Sequence, residues 1–117
     1  SIAVLKQGEF LYDTVRKFVK EAAEYTVHCN YHFGGYAKTT PELLDFLNYF
    51  AANTGILSDP IYTSKMFFAV NDMIKNNQFK KGERILTIHT GGLIGLLSEK
   101  MLNDVQNVLH KKTLILK

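Results

Sequence analysis

The sequence is poor in the features that mark several classes of protein. Its single cysteine, Cys29, excludes an internal disulfide and fits a reducing compartment. None of its apolar runs approaches the roughly 20 residues of a membrane span. The first residues, S-I-A-V-L-K, lack the charged and apolar regions of a signal peptide. We therefore expect a cytoplasmic globular protein with no membrane partner.

Basic residues are in modest excess but are not arranged for binding nucleic acid. Lysine and arginine number 14 against 11 acidic residues, and the denser clusters lie at 75–84 and 110–112. Neither cluster interleaves basic residues with aromatic ones, as a groove for single-stranded nucleic acid does. Because lysines commonly lie on solvated surfaces, we expect no nucleic-acid partner.

The length and the first residues favour part of a longer chain. At 117 residues, of which 46% are apolar, the chain can bury the core of about one domain. Domains usually begin with a solvated terminus. Here the chain opens on Ser1 rather than methionine, and Ile2 already belongs to an apolar run typical of a strand. We therefore expect a fragment of a longer protein.

Apolar residues alternate along the chain between the spacing of strands and that of helices. Strands are predicted at 2–5, 25–30, 84–89 and 113–116. Helices are predicted to begin at Glu9, at the segment T-T-P-E (39–42), which matches a capping box, at Asp59 and at Ser98. Because strands and helices alternate, the pattern predicts an α/β fold with a mostly parallel sheet flanked by helices.

The strand predicted at 84–89 runs into the glycine turn Thr90-Gly91-Gly92. Ligands of open α/β sheets bind beyond the carboxyl ends of strands, and a helix N-terminus favours anions. The spacing of the glycines matches neither the dinucleotide fingerprint nor the P-loop. The turn either faces a ligand of unspecified chemistry or simply needs glycine for positive φ.

Three residues that lie close together in the sequence are of types that bind metals: His28, Cys29 and His32. If this segment is extended, the two histidines lie about 13 Å apart at roughly 3.3 Å per residue, and Cys29 points to the opposite face. Zinc requires nitrogen ligands at about 2.0–2.1 Å. We therefore expect no metal site.

Two tyrosines lie in segments suited to chemistry. Tyr62 opens the run Y-T-S-K (62–65), where four polar side chains share the first turn of an otherwise apolar helix. Tyrosine and lysine can transfer protons when their pKa values are lowered. The simpler alternative is a helix start with capping hydroxyls and an exposed Lys65. Tyr36 follows a glycine pair, in a loop that presents either an active-site tyrosine or an ordinary packed ring.

Three segments in order resemble one enzyme family: G-G-Y-A-K-T-T-P-E (34–42), D-P-I-Y-T-S-K (59–65) and I-L-T-I-H-T-G-G-L (85–93). They are similar to the carboxyl-terminal third of the pyridoxal-phosphate (PLP) enzymes comprising 1-aminocyclopropane-1-carboxylate (ACC) deaminase and D-cysteine desulfhydrase. The resemblance implies PLP as cofactor, a homodimer, and the tryptophan synthase β-like fold known as fold type II. Residues 1–98 would form the C-terminal portion of the PLP-binding large domain, and 99–117 an unassigned helix and tail.

The resemblance also implies roles for individual residues. Tyr62 resembles the family's tyrosine at the cofactor ring, which takes part in catalysis, and Tyr36 resembles a second active-site tyrosine. Thr90 falls where a hydroxyl faces the pyridine nitrogen, together with Thr63. Gly91 would let the backbone come close to the cofactor.

The family's Schiff-base lysine lies upstream of the segments present here, so neither Lys38 nor Lys65 corresponds to it. We therefore expect the chain alone to be inactive. Thr63 is the residue typical of D-cysteine desulfhydrases, whereas ACC deaminases tend to have glutamate at this position. A carboxylate there would change the protonation balance around the cofactor ring.

The resemblance implies a deaminase or desulfhydrase that converts D-cysteine or ACC to a 2-keto acid and ammonia, with sulfide as a further product of D-cysteine. Its partners would be a small amino-acid substrate, the remainder of the parent chain and a second subunit. Two alternatives stay open. The missing Schiff-base segment favours a non-catalytic α/β ligand-binding or structural module, and the glycine turn also fits a phosphate- or nucleotide-binding domain.

Overall fold

The computed structural model describes residues 1–19 and 23–97. In that part the helices are α1 (Phe10–Arg16), α2 (Pro41–Thr54), α3 (Thr63–Lys75) and a 3₁₀ helix at Leu93–Leu97. None of these described helices is long and apolar enough to cross a membrane. The helix predicted from Ser98, the strand predicted at 113–116 and the whole predicted tail 99–117 lie outside the described residues.

Helix α2 begins and ends where the sequence predicts. The hydroxyl of Thr40 accepts a hydrogen bond from Leu43 N–H at 3.3 Å, so the capping threonine is Thr40 rather than Thr39. At the other end Gly55 adopts a φ of 71° and donates its N–H to the carbonyl of Ala51 at 2.9 Å. Glycine adopts this left-handed conformation without strain, and so it ends the helix.

Helices α2 and α3 pack against each other. Phe50 stacks on Phe67 with ring centroids 4.5 Å apart, and Phe46 meets Phe68 edge to face at 5.2 Å. The buried apolar residues of the described part are Ala3, Leu43, Leu44, Phe46, Leu47, Phe67, Ala69 and Met73. Aromatic pairs of this kind contribute roughly 0.5–1.5 kcal/mol beyond the burial of their surface. The packing fixes α3, whose first turn carries the candidate site.

The predicted parallel sheet is not confirmed. In the described part of the chain, β-pairing consists of one isolated parallel bridge between Ile2 and His28. There His28 N–H donates to the carbonyl of Ser1 at 2.8 Å, and Ala3 N–H donates to the carbonyl of His28 at 2.9 Å. The bridge joins the first two segments predicted to be strands, but it does not extend into a ladder.

The segment 84–89 has the clearest strand-like pattern, yet it is not a strand in the structure. Leu86 is 86% exposed and Ile88 is 66% exposed, and among the described residues no bridge involves this segment. A strand requires a neighbour that satisfies its backbone N–H and C=O groups. The strand prediction is therefore wrong for this structure, because the sequence pattern supplies only one side of a pairing.

Helix α1 is shorter than the apolar pattern from Glu9 predicts. It ends at Arg16, and none of its side chains is buried. Just beyond it, Phe18 is 85% exposed. Most of the stability of a short helix comes from packing an apolar face, and α1 buries none. The remainder of the predicted helix includes residues 20–22, which lie outside the described part.

Candidate functional site

The start of α3 is organised by the fully buried carboxylate of Asp59. Its Oδ1 accepts hydrogen bonds from the N–H groups of Ile61 at 2.9 Å and Tyr62 at 2.8 Å. Its Oδ2 accepts from the N–H of Thr63 at 2.9 Å and from the Thr63 hydroxyl at 2.6 Å. A carboxylate in this place satisfies N–H groups that lack partners within the helix, and it interacts favourably with the helix dipole. Asp59 therefore fixes the backbone that carries Tyr62.

Lys65 is completely buried, which overturns the interpretation that places it at the surface. Its Nζ donates to the backbone carbonyls of His32 and Gly35, at 2.8 Å in each case. Burial lowers the pKa of Lys65 to about 8, while the Asp59 carboxylate acts in the opposite direction. Both carbonyls belong to the loop that carries Tyr36, so Lys65 joins α3 to that loop.

Residues 32–38, which we call the glycine loop, bring Tyr36 to Tyr62. Gly34 and Gly35 adopt φ values of 96° and 122°, which residues with a side chain rarely adopt. The Tyr62 hydroxyl donates to the Tyr36 hydroxyl at 3.2 Å, with ring centroids 5.9 Å apart. Both side chains are about half exposed. The two tyrosines predicted to share an active site, hereafter the tyrosine pair, are therefore in contact.

The electrostatics of the tyrosine pair favour the protonated form of Tyr62. The hydrogen bond to Tyr36 is the largest cause that raises the pKa of Tyr62, followed by desolvation and by the charge of Asp59. The lowered pKa that the sequence argument requires is therefore not found at Tyr62. Tyr62 instead carries its proton at neutral pH.

The glycine turn lies against Asp59. Gly91 and Gly92 have φ values of 90° and 88°, which confirms that the turn requires glycine. A Cβ atom on Gly92 would lie 3.0 Å from Oδ2 of Asp59, a tight contact that would require the carboxylate to shift. The turn that carries Thr90 is thus packed against the same carboxylate that fixes Tyr62.

His89 secures the glycine turn, a role that sequence reasoning missed. Its Nδ1 accepts a hydrogen bond from Gly91 N–H at 3.0 Å, and its Nε2 lies 2.9 Å from the carbonyl oxygen of Leu57. Because Nδ1 is an acceptor, the neutral ring carries its proton on Nε2 and donates it to Leu57. In the sequence, a histidine two residues before a glycine only weakly indicates the contact with Gly91. Nothing in the sequence indicates the contact with Leu57, which lies 32 positions away.

Three predicted site residues, Tyr62, Thr63 and Thr90, line a common groove of about 780 Å³. Apolar side chains form much of its wall: Ile2, Val4, Leu5, Met66, Val70, Ile85, Leu86 and Ile88. Thr90 is exposed, so its hydroxyl can meet a ligand. Thr63 is only 2% exposed, and its hydroxyl is engaged with Asp59. Tyr36 joins this site through Tyr62.

The histidines considered as metal ligands make local contacts. Nδ1 of His32 accepts the N–H of Gly34 at 2.9 Å within the glycine loop. The backbone of His28 forms the bridge to Ile2. Among the residues that the structure describes, no three or more His, Cys, Asp or Glu side chains are grouped as a metal site would require.

Comparison with known proteins finds relatives that carry names. The chain is 35% identical over 102 residues to a Pyrococcus horikoshii protein provisionally named 1-aminocyclopropane-1-carboxylate deaminase, a match that covers 80% of this chain and 31% of the relative. It is 43% identical over 63 residues to the bifunctional D-cysteine desulfhydrase/1-aminocyclopropane-1-carboxylate deaminase, mitochondrial, of Arabidopsis thaliana, covering 53% of this chain and 16% of that protein. The chain belongs to the ACC deaminase and D-cysteine desulfhydrase family.

Membership of this family confirms the resemblance that the three motifs carry. A Pseudomonas syringae 1-aminocyclopropane-1-carboxylate deaminase is a further relative, 28% identical over 75 residues that cover 64% of this chain and 22% of that protein. The chain thus spans about a third or less of these relatives. No protein-family model and no solved structure matches it. Because the plant relative's name places that protein in mitochondria, the cytoplasmic prediction is not confirmed.

The family implies PLP, and the described residues fit one side of a site for it. A Cβ atom on Gly91 would meet nothing within 4 Å, so the space beside this glycine is open. Thr90, which is exposed, directly precedes Gly91 in the sequence. Tyr62 lines the same groove as Thr90. Lys65 does not fit the role of the lysine that binds PLP covalently, because it is buried and bonded to two carbonyls.

Proposed function

We propose that the chain supplies part of the active site of a longer PLP-dependent enzyme, hereafter the parent protein. The parent protein acts as a deaminase or desulfhydrase on a small amino acid, D-cysteine or ACC. The products are a 2-keto acid and ammonia, with sulfide in addition from D-cysteine. The observation that carries the proposal is the tyrosine pair, whose member Tyr62 lines the same groove as Thr90.

Thr90 and Gly91 would hold one edge of the cofactor. PLP, when bound, draws electrons from the bonds at the α-carbon of the substrate. The Thr90 hydroxyl would be a neutral partner for the pyridine nitrogen, so it would not force that nitrogen to stay protonated. Gly91 would let the backbone approach the ring, because the space beside this glycine is open. These residues would bind and orient the cofactor and temper its electron withdrawal.

The tyrosine pair would hold and deliver a proton. Because the hydrogen bond to Tyr36 raises the pKa of Tyr62, the Tyr62 hydroxyl carries its proton at neutral pH. Tyr36 accepts that hydrogen bond and so orients the Tyr62 O–H. When Tyr62 gives its proton to a reacting atom of the substrate, the Tyr36 hydroxyl can donate to the phenolate that is left. Both half-exposed rings would also shape the substrate pocket.

Thr63 would help to select the substrate. Its hydroxyl donates to Oδ2 of Asp59 at 2.6 Å and accepts from Asp59 N–H at 2.9 Å. We therefore assign the direct contact with the pyridine nitrogen to Thr90 and give Thr63 a supporting part. A threonine here keeps the wall of the groove neutral, as in the D-cysteine desulfhydrase pattern, whereas glutamate would add charge.

The remainder of the parent protein is the proposed cover for the apolar surface at 85–97. Four of its side chains are at least 66% exposed: Leu86, Ile88, Ile94 and Leu97. Exposed apolar patches mark surfaces that bind other protein segments. We propose that 1–98 belong to the C-terminal portion of the PLP-binding large domain of fold type II, with 99–117 as a C-terminal helix and tail that we assign to no domain. We propose further that the parent protein is a cytoplasmic homodimer.

The test is the activity of the parent protein, expressed from the full-length gene and loaded with PLP. We expect equal amounts of 2-keto acid and ammonia from D-cysteine or ACC, with an equal amount of sulfide from D-cysteine. The 117-residue chain assayed alone should release none of these products. If the PLP-loaded parent protein forms no 2-keto acid from either substrate, the proposal is wrong. The non-catalytic ligand-binding or structural module would then be the better account.

A further inference from the structure

Lys65 is a buried titratable group that the proposed roles leave unused. It lies in the first turn of α3, three residues after Tyr62, and no part of it is exposed. Its Nζ reaches the carbonyl oxygens of His32 and Gly35 at 2.8 Å each. An ammonium group withdrawn from water is costly unless its N–H groups find acceptors. The two carbonyls are therefore what allows Lys65 to be buried.

The same two carbonyls close the turns of the glycine loop. The His32 carbonyl also accepts the N–H of Gly35 at 3.0 Å, and the Gly35 carbonyl accepts the N–H of Lys38 at 3.2 Å. Between them Phe33 has a φ of 51°, a left-handed conformation that is strained for a residue with a side chain. The bonds from Lys65 thus add support to a backbone that is costly to maintain.

The glycine loop places Tyr36, because Gly35 precedes it directly. The contacts between this loop and α3 include Lys65 at the loop backbone, the N-cap residue Tyr62 at the Tyr36 hydroxyl, and Phe68, which meets Phe33 edge to face at 4.9 Å. We infer that Lys65 is a positioning residue: by holding two loop carbonyls, it keeps the Tyr36 hydroxyl within reach of Tyr62. The inference deepens the proposed function and rests on it for the use of the tyrosine pair, whereas the geometry stands without it.

The titration of Tyr62 separates this role from a merely structural one. The hydrogen bond to Tyr36 is the largest cause that raises the pKa of Tyr62 above its ordinary 10.0. If Lys65 only stabilises the fold, its loss lowers stability but leaves the tyrosine pair in contact in folded molecules. If Lys65 positions the glycine loop, its loss also separates the hydroxyls, and the pKa of Tyr62 falls.

The experiment follows ¹³Cζ-tyrosine signals by NMR against pH in the 117-residue chain, with the Tyr62 signal assigned by Tyr62→Phe. Lys65→Met removes the donors and the charge at similar length, and Lys38→Met is the matched control at an exposed lysine of the same loop. We expect the pKa of Tyr62 to fall towards 10.0 in Lys65→Met and to stay raised in Lys38→Met. A folded Lys65→Met variant with an unchanged Tyr62 titration overturns the inference.

A measurement on the unaltered chain decides the matter if Lys65→Met does not fold. Couplings across the hydrogen bonds between ¹⁵Nζ of Lys65 and the ¹³C carbonyls of His32 and Gly35 should be detectable below about pH 8, where the ammonium form predominates. Their absence, with a mobile Lys65 side chain, overturns the inference. Neither measurement needs PLP or turnover. The inference about Lys65 can therefore fail while the proposed function holds, and the proposed function can fail while the inference holds.

Discussion

The hydroxyl groups of Tyr62 and Tyr36 lie 3.2 Å apart, although 26 positions separate the two residues in the sequence. Two buried charged groups maintain this relationship. The Asp59 carboxylate binds the backbone N–H of Tyr62 at 2.8 Å, and Lys65 binds the carbonyl next to Tyr36 at 2.8 Å. The positions of the two hydroxyls thus depend on the buried side chains of Asp59 and Lys65. Substitution of either buried residue should therefore alter the site although both tyrosines are retained.

The pH dependence of stability should reveal the buried Lys65. Its pKa is about 8 in the folded chain against the ordinary 10.5, so between these values the unfolded chain binds more protons. The free energy of unfolding should therefore rise with pH across this window, by about 2 kcal/mol between about pH 7 and pH 9.5. Denaturant unfolding at the two pH values measures the change.

The controls for this pH dependence are lysine variants. Lys65→Met should abolish the rise, whereas Lys38→Met should retain it. Raised pKa values at Tyr25, Tyr31 and Tyr62 act in the opposite direction, but only above about pH 10, where unfolded tyrosine ionises. A flat stability for the unaltered chain, or an equal rise in a folded Lys65→Met variant, would contradict the assignment.

The chain alone should not bind PLP covalently. Lys65 is buried against two carbonyls, and by family resemblance neither it nor Lys38 is the lysine that forms the Schiff base. After incubation with PLP and reduction with borohydride, peptide mapping should show at most scattered labelling of exposed lysines. Stoichiometric labelling at Lys65 or Lys38 would refute the assignment. The PLP-loaded parent protein, labelled at one upstream lysine, serves as the positive control.

Thr63→Glu should alter both stability and substrate choice. The change removes a hydroxyl that donates to Asp59 at 2.6 Å and places a second carboxylate beside the first, so we expect a loss of about 1–3 kcal/mol in stability. In the parent protein it should shift preference from D-cysteine towards ACC, because it restores the residue typical of ACC deaminases. Thr63→Gln is the control, because glutamine has nearly the same size as glutamate but carries no charge. Equal ratios of kcat/KM for the two substrates in all three proteins would contradict a selective role.

Local signals in the sequence predicted the parts of the fold that are decided locally. The threonines and Gly55 marked the ends of α2, and the glycine pairs marked turns with positive φ. The strand at 84–89 was predicted wrongly because a strand depends on a second segment as well as on its own residues. The sequence pattern therefore identified a surface that can pair without identifying what pairs with it.

The candidate site divides in the same way. Its tyrosines were found through family resemblance, and the structure brings them into contact. The burial of Lys65 was missed because its acceptors lie 30 and 33 positions away, beyond the reach of any local pattern. The sequence predicts that Asp59 begins a helix, but the four hydrogen bonds that its carboxylate accepts from three following residues depend on the geometry of the turn.

In the proposed mechanism, the hydroxyl of Tyr62 transfers a proton in the parent protein. Tyr62→Phe keeps the ring and its contact area, so stability and PLP binding should barely change. Removing a positioned acid or base should lower kcat by roughly 10²–10⁴-fold. Tyr49→Phe is the matched control, since Tyr49 is an exposed tyrosine on α2 outside the site.

The decisive measurement is therefore the steady-state kcat of Tyr62→Phe and Tyr49→Phe in the PLP-loaded parent protein, on D-cysteine and on ACC, with the PLP absorbance checked in each variant. We predict a loss of roughly 10²–10⁴-fold in kcat for Tyr62→Phe and no change for Tyr49→Phe. A Tyr62→Phe variant with the kcat of the unaltered enzyme on every substrate turned over would contradict the claim and leave Tyr62 as a structural residue.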